Sequence, residues 1–284
     1  MSDLYAVVGN PVAHSQSPFI HEAFAKQTGQ SLRYERVLAP LGAFEATVRG
    51  FMQAGGRGCN ITVPFKFEAP ALAAACTPRA ALAQAANTLR FDTAGWMADN
   101  TDGVGLVADI EIHAGRPLRG TTVLLVGAGG AAAGVLGPIL AAQPCRVVVV
   151  NRTPDRAHGL AERHATWAQE QGAQLLAGSL DDAARLCGGG CDVVINGTAS
   201  SLSGAEVPIS ASLLRSGSLA VDMMYGASAE PFLRWAQAHG AQARDGLGML
   251  VEQAAAAFEL WRGVKPETKP VLQALRERLL PDTA

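Results

Sequence analysis

Four polar side chains stand where apolar segments give out. These are Thr62 and Lys66 in the stretch Asn60 to Lys66, Asn87 within Ala85 to Leu89, and Asp102 in the polar run Asp99 to Gly105. A lysine and an aspartate that meet form a proton-transfer pair. The carboxylate favours the charged ammonium, burial opposes it, and their balance sets how readily the lysine cycles between acid and base. On a solvated surface the same pair would contribute only about 0–1 kcal/mol and no chemistry. Lys66 is unusual as a cation just after an apolar strand, which favours the first reading. The loop Asn10 to Pro18 adds Ser15 and Ser17 ahead of a proline suited to a first helical turn, where hydroxyls and free amides can receive an anion. Ser17 as a plain N-cap is the alternative. His14, in the same loop, reads as a surface or packing group first and as a base second.

A second set of candidates lies in residues 121–134. Val123 to Val126 supplies an apolar strand and Gly127 a tight turn. Gly129 lets the backbone of Ala128, Gly130 and Ala131 approach a diphosphate at a helix N-terminus, and Ala132 takes the third small position. Alone this motif is weak, because a glycine-rich turn serves many α/β proteins. The β-branched run Arg146 to Val150 strengthens it, since Asn151, Arg152 and Thr153 follow at once. NAD-binding chains usually place an acid about 20 residues past the glycines to hold the ribose 2′-hydroxyl. None stands in this turn; Arg152, Thr153 and Arg156 instead offer guanidinium forks and a hydroxyl suited to a 2′-phosphate. Cations at a helix start oppose the macrodipole and need such a reason. NADP is therefore expected rather than NAD.

Positioning these groups falls to alternating strands and helices. Strands are expected at Leu4 to Gly9 and Leu32 to Leu38, and helices at Pro18 to Thr28 and Ala43 to Gln53, with a glycine-rich turn at Gly55 to Gly58. Pro64 stops the strand that starts at Asn60, Ala85 to Leu89 reads as a short strand, and Asp99 to Gly105 reads as a loop. Between Gly246 and Trp261, the residues Leu247, Leu250, Val251, Ala254, Phe258 and Leu260 recur at helical spacing, and Gln253 beside them needs partners if buried. Gly103, Gly105 and the glycines of 240–248 mark hinges or simple turns.

Composition narrows the class. A chain of 284 residues suits two modest domains, and a net charge of −2 without runs of Lys or Arg argues against a nucleic-acid partner. No uninterrupted apolar segment reaches the roughly 20 residues that span a bilayer. The strand-like Leu4 to Val8 near the N-terminus, with no signal-peptide pattern, gives an expectation of a cytoplasmic protein. Five cysteines, odd in number and without a C-x-x-C pair, favour neither a disulfide framework nor a metal site, and are expected to be reduced and structural.

Taken together, these motifs resemble the shikimate dehydrogenase family, within the shikimate/quinate dehydrogenase superfamily, along nearly the whole chain. They run in order through Ser15 and Ser17, Asn60 to Lys66, Ala86 to Thr88, Asn100 to Asp102, the glycine turn, Asn151 to Thr153, Asn196 to Thr198, Val221 to Tyr225 and Gly246 to Ala254. The resemblance implies an α/β fold: an N-terminal α/β substrate domain (1–104 plus 246–284, through returning C-terminal helices) and a Rossmann-type NADP-binding domain (105–245). It implies NADP-linked reduction of 3-dehydroshikimate to shikimate, with Lys66 and Asp102 catalytic. Ser15, Ser17 and Tyr225 would hold the substrate carboxylate, Thr62, Asn87 and Gln253 the ring oxygens. Thr198, Met223 and Gly246 would join the glycine turn and Asn151 to Arg156 around NADP. A quinate/shikimate dehydrogenase, often NAD-linked, is the nearest alternative, and Arg152 argues against it. A dinucleotide sensor is a third reading, disfavoured because it needs no Lys66 and Asp102. A homodimer is compatible with the sequence. The chain departs from the family pattern at Gln84, where glycine is common, at Ala199 to Leu202, and at Ala227 and Glu230 near Pro231.

Overall fold

The computed structural model describes residues 2–198 and 209–279. The departure noted at Ala199 to Leu202 lies outside them. The chain divides into two compact units, residues 1–105 with 250–284, and residues 106–249.

In the first unit, strands β1 (Asp3–Gly9), β2 (Leu32–Leu38), β3 (Gly56–Ile61), β4 (Ala75–Cys76), β5 (Thr88–Arg90) and β6 (Met97–Asp99) form one sheet in the order β2-β1-β3-β5-β6-β4. β1 lies parallel to β2 and β3, whereas β5 is antiparallel to both β3 and β6. Successive residues of β1 feed opposite faces, as a strand's period of two requires. Ala6 and Val8 join Phe44, Ile61, Phe65 and Leu89, while Tyr5 and Val7 join Val12, Tyr34 and Trp261. A sheet buried on both faces accounts for the near-continuous apolar reading of β1. Helices α1 (Ser17–Thr28), α2 (Phe44–Gln53) and α3 (Pro78–Ala83) accompany it.

The second unit is a parallel sheet of β7 (Thr122–Val126), β8 (Arg146–Val150), β9 (Gln174–Gly178), β10 (Cys191–Asn196), β11 (Leu214–Asp222) and β12 (Gln242–Arg244). Its order, β9-β8-β7-β10-β11-β12, is that of a doubly wound Rossmann sheet, with the switch point between β7 and β10. Helices α4 (Asp102–Ala108) and α9 (Leu247–Arg262) contain the divisions between units; α5 (Gly130–Ala141), α6 (Pro154–Glu170), α7 (Ala183–Cys187) and α8 (Glu230–Ala238) belong to the second, and α10 (Lys269–Leu279) to the first. A π turn, Asp109–His113, follows α4. Its buried Asp109 is held by the Arg244 fork at 2.7 and 2.5 Å, and a Cβ on Gly248 would lie 1.6 Å from the same carboxylate. Gly248 is therefore required by close packing rather than by a turn. Among the described residues no helix is long and apolar enough to cross a membrane.

Three expected elements differ. Gly56 and Gly58 are strand residues, not a turn, and they are glycines because any side chain there would strike Phe51 at 2.4 Å or Trp261 and the Leu89 carbonyl at 2.6 Å. The short strand begins at Thr88, which leaves Asn87 just ahead of it. The polar run 99–105 is no loop: Asp99 ends β6, Asp102 opens α4, and Gly103 and Gly105 are helical and so are neither turns nor hinges. Gln84 adopts φ 50° at the end of α3, the left-handed conformation that glycine takes without strain. Of the cysteines, Cys59, Cys187 and Cys191 are buried, whereas Cys76 and Cys145 are exposed and add nothing to a core.

His21 of α1 is wholly buried, stacked on Tyr34 at 4.3 Å between ring centres and edge-on to Phe24. Desolvation lowers its pKa to about 3; Asn60 offsets this in part, yet stands outside hydrogen-bonding geometry with either ring nitrogen. The native state thus refuses a proton that the unfolded chain accepts below about pH 6.5, so stability present at neutral pH is lost on acidification. Urea denaturation should show about 2 kcal/mol of loss from this group between pH 7 and pH 5, removed in His21→Phe. Equal pH slopes for the two proteins would mean that His21 protonates within the native fold.

Candidate active site

The first unit brings Lys66, Asn87, Asp102 and Gln253 together near the carboxyl end of β3 and the break between β6 and α4. β3 ends at Ile61, Thr62 follows, and Lys66 sits in a short 3-10 turn, Phe65–Phe67, anchored by Phe65 stacked on Phe44. The Lys66 carbonyl accepts the Ala86 amide at 2.8 Å, which ties this turn to the segment carrying Asn87. Lys66 Nζ donates to Asp102 Oδ2 at 2.6 Å, with side chains only 13% and 5% exposed. This is not a solvated surface pair. Among the described residues the ammonium has no other hydrogen-bond partner, which leaves donors for a ligand oxygen.

Asn87 supports the pair. Its amide nitrogen faces Asp102 Oδ1 at 2.9 Å, Thr101 Oγ1 at 2.9 Å and Gln253 Oε1 at 3.0 Å, while its carbonyl oxygen accepts the Thr101 amide at 2.8 Å. Two N–H groups are thus shared among three acceptors, and the cluster has lone pairs to spare for hydroxyl donors. Gln253 meets the requirement for partners in full, since its own nitrogen donates to the Leu250 carbonyl at 2.8 Å. Thr62 packs its methyl against Gly9, where a Cβ would lie 2.2 Å away. At the start of α1, Gln16 and not Ser17 occupies the N-cap position, its side chain caps nothing, and the Ser17 amide donates to Ser15 Oγ at 3.3 Å. Ser15 Oγ donates to Ser17 Oγ at 3.1 Å, and Arg36 holds the Ser15 carbonyl at 2.9 and 2.6 Å. His14 is exposed.

Sequence reasoning missed the groups beneath this cluster. Arg79 grips Asp99 with both arms, Nε to Oδ1 at 2.6 Å and Nη2 to Oδ2 at 2.5 Å, and Thr77 adds a hydrogen bond at 2.6 Å. Burial pushes the Asp99 carboxyl up, but Arg79, Thr77 and the Asn100 amide outweigh it and hold the group below its ordinary value. Tyr34 likewise donates to Asn60 at 2.6 Å, and Asn60 donates to the Asn87 carbonyl at 3.2 Å. The available signal was the density of polar residues from Asp99 to Asp102, directly after the apolar Ala98.

The second unit carries the remaining candidates at the carboxyl ends of its strands, where doubly wound sheets bind ligands. Gly127, at φ 112°, turns the chain from β7 toward α5, and Gly129 is the N-cap with open space where a Cβ would stand. Ala128, Gly130 and Ala131 complete the half-buried turn, while Ala132 is fully buried, as close packing demands. Asn151 Nδ2 donates to the Thr153 carbonyl at 3.0 Å, shaping the turn after β8. Thr153 is the N-cap of α6, yet its hydroxyl caps nothing. Arg152 and Arg156 are exposed, and neither is held in an ion pair among the described residues. Asn196 Nδ2 donates to Asp222 at 3.1 Å, and both the amide and the hydroxyl of Thr198 donate to Asn196 Oδ1. The Met223 amide donates to the Asn196 carbonyl at 3.0 Å, and the Gly246 amide to Met224 at 2.8 Å. Gly246 tolerates no side chain, since a Cβ would lie 2.4 Å from the Met223 carbonyl. Tyr225 belongs to this unit and leads into a 3-10 turn, Gly226–Ser228.

Family models match three stretches: a shikimate dehydrogenase substrate binding domain over residues 7–89, a shikimate/quinate 5-dehydrogenase over 111–207, and a shikimate 5′-dehydrogenase C-terminal domain over 246–276. The chain is 62% identical over 280 residues to a shikimate dehydrogenase (NADP(+)) of Methylibium petroleiphilum, covering 96% of this chain and 94% of the relative. Among solved structures it is similar to an Ael1 enzyme from Pseudomonas putida, with a TM-score of 0.87 at 43% identity over 96% of this chain and 98% of that one. It is also similar to the shikimate 5-dehydrogenase of Thermus thermophilus in complex with NADP(H) and shikimate, with a TM-score of 0.81 at 32% identity over 98% of this chain and 100% of that one.

The turn after β7 provides its own test. Gly127 holds a positive φ, and a Cβ on it would lie 3.0 Å from the Gly197 backbone. Gly127→Ala should therefore lower stability by about 1–3 kcal/mol in urea denaturation. An unchanged midpoint would show that the turn relaxes freely.

Proposed function

The chain belongs to the shikimate dehydrogenase family, and on that premise we propose that it catalyses the reversible, NADP-linked reduction of 3-dehydroshikimate to shikimate, in the pathway to chorismate and the aromatic amino acids. The observation that carries this reading is the shielded 2.6 Å contact between Lys66 and Asp102, set among hydroxyl and amide groups with lone pairs to spare. Neutral directional groups suit a polyhydroxylated ring and leave the lysine free for the ketone.

The residues present fit NADP. Among the described residues, two guanidiniums without an ion pair and a threonine hydroxyl that caps nothing stand at the turn after β8, and the first amides of α5 have no side-chain cap. Arg152, Arg156, Thr153 and Asn151 would hold the adenosine side with its 2′-phosphate. Gly127 to Ala131 would hold the diphosphate, with Thr198, Met223 and Gly246 toward the nicotinamide. Hydride is what the bound cofactor supplies.

As the ketone accepts hydride, its oxygen gains alkoxide character, and Lys66 donates a proton to that oxygen. In the reverse direction Lys66 receives it. Asp102 holds the ammonium in place at 2.6 Å, which puts a donor where negative charge develops. Ser15, Ser17 and Tyr225 hold the substrate carboxylate, and Thr62, Asn87 and Gln253 the ring oxygens. Residues 1–104 with 246–284 form the substrate domain, and 105–245 the NADP domain.

Arg152 should decide cofactor choice. A hydrogen bond to a charged group is worth about 1.5–3 kcal/mol, so Arg152→Ala should lower kcat/KM for NADPH roughly 10- to 150-fold and leave NADH use nearly unchanged. Comparable kcat/KM for the two cofactors in the parent enzyme would sink the assignment. For proton transfer, Lys66→Ala should reduce kcat about 10²- to 10⁴-fold while shikimate and NADPH still bind. Retention of kcat within about threefold, with hydride transfer rate-limiting, would remove Lys66 from the mechanism.

A further inference from the structure

We propose that Arg79 is a positioning residue for proton transfer: by clamping Asp99 it fixes Asp102, and through Asp102 the Lys66 ammonium. The inference rests on the reading of Lys66 and Asp102 given above. Arg79 touches neither of them. It lies in α3, and its side chain, a third exposed, reaches a carboxylate that is 1% exposed at the end of β6.

Three hydrogen bonds lead from Asp99 to the site. Its Oδ1 accepts the Asn100 amide at 2.7 Å, and the Asn100 side chain accepts the Asp102 amide at 3.1 Å while donating to the Ala85 carbonyl at 2.9 Å. The Asp99 carbonyl accepts the Asn87 amide at 3.0 Å. Asp102 of the acid–base pair and Asn87 beside it therefore both hang from this one aspartate: Asp102 through Asn100, and Asn87 directly.

Stability is a poor explanation for such an arrangement. A buried ion pair repays its desolvation only with excellent geometry and is often replaceable by apolar residues. Here the geometry is bidentate, and the planar fork fixes the carboxylate's orientation as well as its charge, which a lysine cannot do. Orientation is what proton transfer needs, since a misplacement of about 1 Å can cost 10²-fold in rate.

The test is a double-mutant cycle in the full-length enzyme, assayed for NADP-linked shikimate turnover. Arg79→Gln should lower kcat roughly 10- to 100-fold while KM for shikimate changes by less than about threefold. Arg79→Lys should recover little, because the fork is lost. In an Asp102→Asn background the same Arg79→Gln change should cost less than about twofold, because the group through which Arg79 acts is already gone. An additive loss in that background would assign Arg79 a purely structural role and overturn the inference alone. A folded Arg79→Gln enzyme with parental kcat would do the same. Parental kcat in Asp102→Asn by itself would overturn the reading of the pair, and this inference with it. Should Arg79→Gln fail to fold, Thr77→Val, which removes one contact to Asp99 and keeps the fork, takes its place in the cycle with the same opposed outcomes.

Discussion

Four consecutive polar residues, Asp99 to Asp102, lie almost wholly out of water, and most of the first unit's site is arranged around that burden. An unpaired buried carboxylate is costly, so each needs a partner at close range. Asp99 receives the Arg79 fork and Thr77, Asp102 receives Lys66 and Asn87, and the two neutral residues between them bond to each other's surroundings. Every one of these bonds joins separate short elements. The polar run therefore does the work that apolar contacts do elsewhere: it fixes where β3, β5, β6 and α9 deliver their side chains.

The sequence made the apolar elements plain and concealed the buried polar ones. Arg146–Val150 appears as a strand with the bounds that its residue pattern suggests, since a continuous β-branched run fits a pleated, buried sheet. Polarity misled at 99–105. A run of Asp, Asn and Thr reads as solvent-facing unless its partners are known, and those partners lie as far away as Arg79, bonded to Asp99, and Gln253, bonded to Thr101. Glycines misled likewise. Gly58 and Gly248 are needed for close approach to Trp261 and Asp109, residues that sequence separation hides.

The second unit is the more legible of the two because its turns are announced by residue type. Gly127 and Gly129 declare a turn by type alone, and the missing acid after β8 is visible without any tertiary knowledge. What sequence did not show is how Asn196 and Asp222 bind the ends of β10 and β11 together, so that Thr198 and Met223 project from a braced rim. Polar residues at strand ends carry no periodic signal, and only the strand order reveals that they are neighbours.

The surplus of acceptors around Asn87 bears on selectivity. A ligand that brings hydroxyl groups completes hydrogen bonds which the cluster cannot complete alone, whereas an analogue lacking one would seal an unpaired oxygen away from solvent. Sites of that kind reject deoxygenated analogues by factors of about 10⁴–10⁵, far beyond what a missing methylene achieves in an apolar pocket. Discrimination among ligands would then rest on which hydroxyl groups they bring.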